Sequence, residues 1–168
     1  MSAQVAAATV RCAPMSALTR GAAQTLLAEF LRGDVHYGAS SAVYGDGGDR
    51  ALGEALDLFL ARPEIGFVWL ATAITDEGAR AVGACVVCYA ISTSRGTLVA
   101  KLDDVTVAAN WQGRGVGGAM LDALAMQLRG QGITRIDTAC HRDNAPAWRF
   151  YERLGFRPLD EERISLLL

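Results

Sequence analysis

Lysine is almost missing from this chain: of 16 basic residues Lys101 is the one lysine, and the rest are arginine. An isolated Lys101 reads as a solvated side chain whose stem snorkels along the surface. Nor is there an excess of either charge, since 18 acidic residues leave a formal charge of −2. With no basic run, nothing forms an electrostatic footprint for nucleic acid. Long apolar runs are missing as well. IGFVWLATAI and AVGACVVCYAI fall well short of the roughly 18 to 20 residues of a membrane helix and read as strands, so no membrane role is expected. MSAQVAAATVR has no basic stretch ahead of its alanines, which argues against a secretory signal and for a cytoplasmic address. Histidine occurs twice and cysteine four times, at Cys12, Cys85, Cys88 and Cys140. The pair Cys85 and Cys88 has zinc-like spacing, but an odd offset on a strand sends the two thiols to opposite faces. No second Cys or His pair completes a set, so no metal is expected and the thiols read as packing groups.

What is present fits one domain of 168 residues with a sizeable core, residues 1–7 being expected as a loose tail. TVRCAP reads as a short first strand, and apolar residues from Leu18 to Phe30 at helical spacing predict a helix over 17–32 behind Ser16 as cap. GDVHYGASSAVYGDGGD, residues 33–49, has the composition of a functional loop. Asp49 then caps a helix through LGEALDLFLAR, stopped by Pro63. GFVWLATAI, AVGACVVCYAI and TLVAKLDDVTV, joined by short polar turns, predict an antiparallel meander. A helix over 116–129, a strand at ITRIDTAC, a helix through DNAPAWRFYERLG and a last strand over 157–167 complete the order. The fold class is therefore α/β of the α+β kind. A mixed, mainly antiparallel sheet of 6–7 strands is flanked by helices and ends in one parallel β-α-β crossover.

Between the third meander strand and the next helix, NWQGRGVGGAM places glycine at four of the six positions from Gly113 to Gly118. Glycines there let backbone N–H groups approach an anion at a helix N-terminus. Read as G-x-G-x-x-G through Gly113, Gly115 and Gly118, the stretch is a dinucleotide fingerprint, with Asp137 near the place of a ribose-binding acid. The context argues against that reading. KLDDVTV alternates, AANWQ intervenes before the first glycine, and the preceding meander is antiparallel.

Read instead as Q-x-x-G-x-G, LDDVTVAANWQGRGVGGAM resembles the acetyl-coenzyme A signature of the GNAT superfamily of N-acetyltransferases. HRDNAPAWRFYERLGFRP resembles the second signature of the same superfamily, with Asn144, an aromatic-Tyr pair seven residues on, and Leu-Gly-Phe. Alanine stands at Ala109 where the family commonly has proline, and Gln112 replaces the commoner arginine.

The resemblance implies a fold, a cosubstrate and a set of roles. Acetyl-CoA would lie with its pantetheine along Val105 to Val107 as a surrogate strand. Its pyrophosphate would meet the N–H groups of Gln112, Gly113, Arg114, Gly115, Val116, Gly117 and Gly118, and Asn144 would hold the pantetheine arm. An oxyanion donor is expected at Val107 or its neighbour. Tyr151 would be the general acid for the departing thiolate. Asp103 is expected to bind the amine or relay its proton, strand alternation sending Asp104 to the other face. His36, Tyr37, Tyr44 and Glu64 are further candidates for the acceptor site. The acceptor is an amine, small-molecule or peptide, which the sequence does not name, and exposed sheet edges offer a contact for a homodimer.

Overall fold

The computed structural model describes residues 9–168, apart from the side chains of Val43 and Tyr44; the expected tail over residues 1–7 lies outside the described residues. The described residues form five strands and five α-helices in the order β1 (Thr9–Pro14), α1 (Arg20–Gly33), α2 (Val35–Tyr44), α3 (Gly48–Ala61), β2 (Gly66–Thr75), β3 (Gly78–Ser92), β4 (Thr97–Val107), α4 (Val116–Gly130), β5 (Ile136–Thr138) and α5 (Ala145–Arg153), with one 3-10 turn, Ala109–Trp111, between β4 and α4. The strands lie in one sheet in chain order. β1 to β4 pair antiparallel, and β5 pairs parallel with β4 after the α4 crossover.

Both faces of the sheet are covered, which is why β2 and β3 are apolar at nearly every position rather than at alternate ones. One face packs Val87, Leu102, Met120, Leu124, Leu128 and Tyr151 beneath α4 and α5. The other packs Leu26, Leu27, Leu56, Val68, Leu70 and Ala84 beneath α1 and α3. Trp69 Nε1 donates to the Met120 carbonyl at 3.1 Å and ties β2 to α4. Cys85 is fully buried on the first face while Cys88 is half-buried, and Lys101 is exposed, all in line with the sequence.

Two expectations need correction. The described residues form five strands, not six or seven, because 157–167 is not a strand. Pro158 removes a ladder donor, Asp160 adopts φ 55°, and β5 is too short to template a longer neighbour. The stretch expected as a loop contains α2, whose start Asp34 caps by accepting the Tyr37 N–H at 2.7 Å. The Gly and Ser content suggested a loop, but a good cap and few breakers suffice for ten residues.

Candidate active site

β5 pairs only with Ala100, Lys101 and Leu102, so β4 runs on from Asp103 to Val107 with no described strand on that side. The sheet opens there into a cleft. At its closed end the Thr138 hydroxyl donates to the Leu102 carbonyl at 3.2 Å, and at its open end Gln112 Nε2 donates to the Val107 carbonyl at 2.9 Å. Ala108 N–H goes the other way, to Val82 on β3, at 2.8 Å. Since backbone groups alternate sides along a strand, the N–H and C=O of Val107 face the cleft.

β4 is bulged. Opposite Cys85 alone it carries Asp104 and Val105, because Ala84 pairs with Thr106 while Val86 pairs with Asp103. Asp104 sits at φ 51°, in the left-handed region that aspartate tolerates better than most residues. The extra residue changes which way the side chains point. Leu102 and Val105 both pack under α4 and α5, so Asp103 and Asp104 fall between them on the side of α1 and α2. Simple alternation, which separated the two carboxylates, therefore fails at this point.

The consequence is electrostatic. Burial pushes the Asp104 carboxyl up to about 6, with the like charges of Asp103 and Asp34 adding to the rise and Arg163 opposing it. Asp103 is raised too, by burial, and is held back by Arg163 and Lys101. Arg163 comes from the irregular segment after α5 and stands 3.7 Å from Asp103, while its neighbour Glu162 pairs with Arg142. Two carboxylates crowded with Asp34 and attended by one exposed guanidinium make a negatively charged patch whose Asp104 carboxyl can accept a proton near neutral pH.

Tyr151 lies at the closed end of the cleft, inside the core cluster. Its ring packs edge-on against Phe150 and Phe156, each at 5.2 Å between centroids. Burial pushes its phenol up to about 12, against a smaller lowering by the Thr138 hydroxyl beside it. The side chain is thus a proton donor at every physiological pH. Asn144 caps α5, its Oδ1 accepting the Ala147 N–H at 3.2 Å.

The glycine stretch serves three different needs. Gly113 (φ 70°) and Gly115 (φ 80°) take left-handed conformations that turn the chain from β4 into α4. At Gly117 a Cβ would meet Phe150 at 3.1 Å, so that glycine lets α5 lie against the start of α4. Gly118 has open space around it. The N–H groups of Val116, Gly117 and Gly118 belong to the first turn of α4, where no intrahelical acceptor precedes them. Arg114 lies over the Trp111 ring at 5.2 Å, which keeps its charge at the loop.

The remaining candidates scatter. Glu64 is paired with Arg62 at 2.8 Å, and Asp137 with Arg135 at 3.1 Å, which occupies the acid that a ribose-binding reading needs. His36 lies on α2 against Asp143 and His141. The side chain of Tyr44 lies outside the described residues. Sequence reasoning missed Asp104, Asp34 and Arg163 as a group. The DD pair was visible, but the bulge that unites it and the helix that brings Asp34 to it were not.

The Acetyltransferase (GNAT) family profile matches residues 47–156, which spans the meander, the glycine loop and α5. No curated protein matches the chain. Among solved structures, a probable acetyltransferase is similar over 94% of this chain and 97% of that one, with TM-score 0.76 and 21% identity. The ribosomal-protein-alanine N-acetyltransferase of Brucella melitensis biovar Abortus 2308 is similar over 95% and 99%, with TM-score 0.67 and 16% identity. AAC(6')-Iy, in complex with the bisubstrate analogue CoA-S-monomethyl-acetylneamine, is similar over 94% and 97%, with TM-score 0.70 and 16% identity. At these identities the solved structures speak for the fold, and the profile speaks for the lineage. The chain belongs to the GNAT family of acetyltransferases.

Proposed function

We propose that the protein transfers an acetyl group from acetyl-CoA to a primary amine carried by a small cationic molecule, by direct attack. The observation that carries this reading is the parting of β4 from β5, with the glycine loop at its open end and the Tyr151 phenol at its closed end. Pantetheine adds to the free edge at Val105 to Val107, as a strand would. The N–H groups from Gly113 to Gly118 take the pyrophosphate, helped by the α4 dipole, whereas the Gln112 N–H expected among them is donated to the Ala109 carbonyl at 3.4 Å. Asn144, whose Oδ1 is engaged in the cap, offers its Nδ2 hydrogens to a pantetheine carbonyl.

The acceptor amine enters from the side of α1 and α2. Asp103 holds the ammonium, and Asp104, whose carboxyl is poised near 6, takes its proton directly or through water. The freed amine attacks the thioester carbon. A tetrahedral oxyanion forms, and the Val107 N–H is the donor turned towards it. As the C–S bond breaks, Tyr151 gives its proton to the sulfur. A phenol near 12 is a poor acid for a thiolate in water, but the burial that raises the phenol raises the thiolate's proton affinity as well, so the two stay matched. The nitrogen of the intermediate, still carrying one proton too many for an amide, passes it to the Tyr151 phenolate, Asp104 releases the first proton to solvent, and the acetylated amine and coenzyme A leave.

Tyr151→Phe tests this assignment. Coenzyme A release with a panel of diamines, amino sugars and peptide N-termini should fall about a hundredfold or more for the best acceptor, with acetyl-CoA affinity within a few-fold of the parent. Unchanged turnover would remove Tyr151 from the chemistry. Cofactor binding with no turnover across the panel would favour a non-catalytic coenzyme A-binding module.

A further inference from the structure

His36, His141 and Asp143 meet where α2 faces the loop between β5 and α5, each offering one ligand atom within 4.8 Å of the others. The transfer chemistry above uses none of them. His36 Nδ1 lies 3.4 Å from Asp143 Oδ1. That is the edge of a tetrahedron whose ligands stand roughly 2.0–2.1 Å from a zinc ion, about 3.4 Å. The two imidazoles are stacked, with centroids 5.2 Å apart and 28° between planes. Ser40, one helical turn after His36, holds the His141 ring through Nε2 at 3.2 Å. An outer hydrogen bond of this kind is what orients a ligating histidine.

A shared cation would hold together two imidazoles and a carboxylate that come from α2 and from the loop between β5 and α5. A proton can serve only one histidine–carboxylate pair at a time, whereas a metal ion serves all three donors at once. We propose that His36, His141 and Asp143 form a three-ligand site for a divalent transition metal of the zinc class. The site clamps α2 onto the loop that leads to Asn144 and leaves one coordination position for water or a polar group of the acceptor. Its nitrogen and oxygen donors favour zinc or cobalt over calcium or magnesium. Cys140 is not a member. Its Sγ turns back to the His141 carbonyl at 3.6 Å.

Calorimetric titration of zinc into the full chain, stripped beforehand with a chelator, reads the site without any assay of activity. One equivalent should bind, and His36→Asn, His141→Asn and Asp143→Asn should each weaken binding by more than about tenfold, while Cys140→Ser leaves it unchanged. Cobalt in place of zinc should give the visible absorption of a tetrahedral nitrogen and oxygen set, without a thiolate band. All three side chains are exposed or half-buried, so the variants should retain the parental circular dichroism and acetyl-CoA-induced stabilisation. Lack of stoichiometric binding by the parent would overturn the proposal. So would binding that survives the double change His36→Asn with His141→Asn, or binding that disappears in Cys140→Ser.

Discussion

Asp104 is the residue at which fold and function pull in opposite directions. Its carboxyl is raised from 3.8 to about 6, so the folded state holds the proton more tightly than the unfolded chain does. The stabilising contribution of that proton is complete below pH 3.8 and is lost as pH rises through 6. At neutral pH the fold therefore carries a half-buried carboxylate at a cost of about 2–3 kcal/mol. Asp104→Asn keeps the shape, tolerates φ 51° and removes the charge. We expect its Tm to exceed the parent's by about 5 °C at pH 7.5, with the gap closing below pH 4. The same variant should lose the rise of kcat/KM through pH 6 that an essential Asp104 imposes on the parent. A parent and variant with equal Tm at both pH values would mean that this carboxylate is solvated. Asp103→Asn should instead raise the KM for the amine and leave acetyl-CoA binding nearly intact.

Among the elements, the turn from β4 into α4 separates conformation from contact. A methyl group at Gly115 (φ 80°) would have nothing within 4 Å of it, so Gly115→Ala isolates the cost of a left-handed alanine, about 1–2 kcal/mol. Gly118 is helical and equally unobstructed, so Gly118→Ala should stabilise the ligand-free protein by up to about 1 kcal/mol. Urea unfolding without ligand should give these opposite signs; a loss in both would mean that the helix begins later than Gly118. The glycine spacing and the Asn-to-Tyr interval were legible in the sequence because each is a local pattern fixed by what the backbone must do. The β4 bulge was not, since a two-against-one register depends on β3, and DDV reads the same with or without it. The strand expected over 157–167 failed for a similar reason: a local stretch of sequence does not say whether a neighbouring edge exists to pair with.

At the scale of the whole molecule, the segment after α5 closes electrostatically over the sheet, with Arg163 on Asp103 and Glu162 on Arg142. Because Arg163 lowers both carboxyls, Arg163→Ala should shift the acid limb of the kcat/KM profile to higher pH while weakening no cofactor contact. An unmoved limb would show that the guanidinium is too exposed to act. The central claim is that the gap between β4 and β5 is a seat for acetyl-CoA, and a ligand bound only by the native state must raise its melting temperature. The most direct measurement is thermal unfolding with acetyl-CoA, coenzyme A and NAD in parallel. A concentration-dependent rise of several degrees with acetyl-CoA and coenzyme A, and none with NAD, is the result this account predicts. An unmoved melting temperature with acetyl-CoA at millimolar concentration would contradict it.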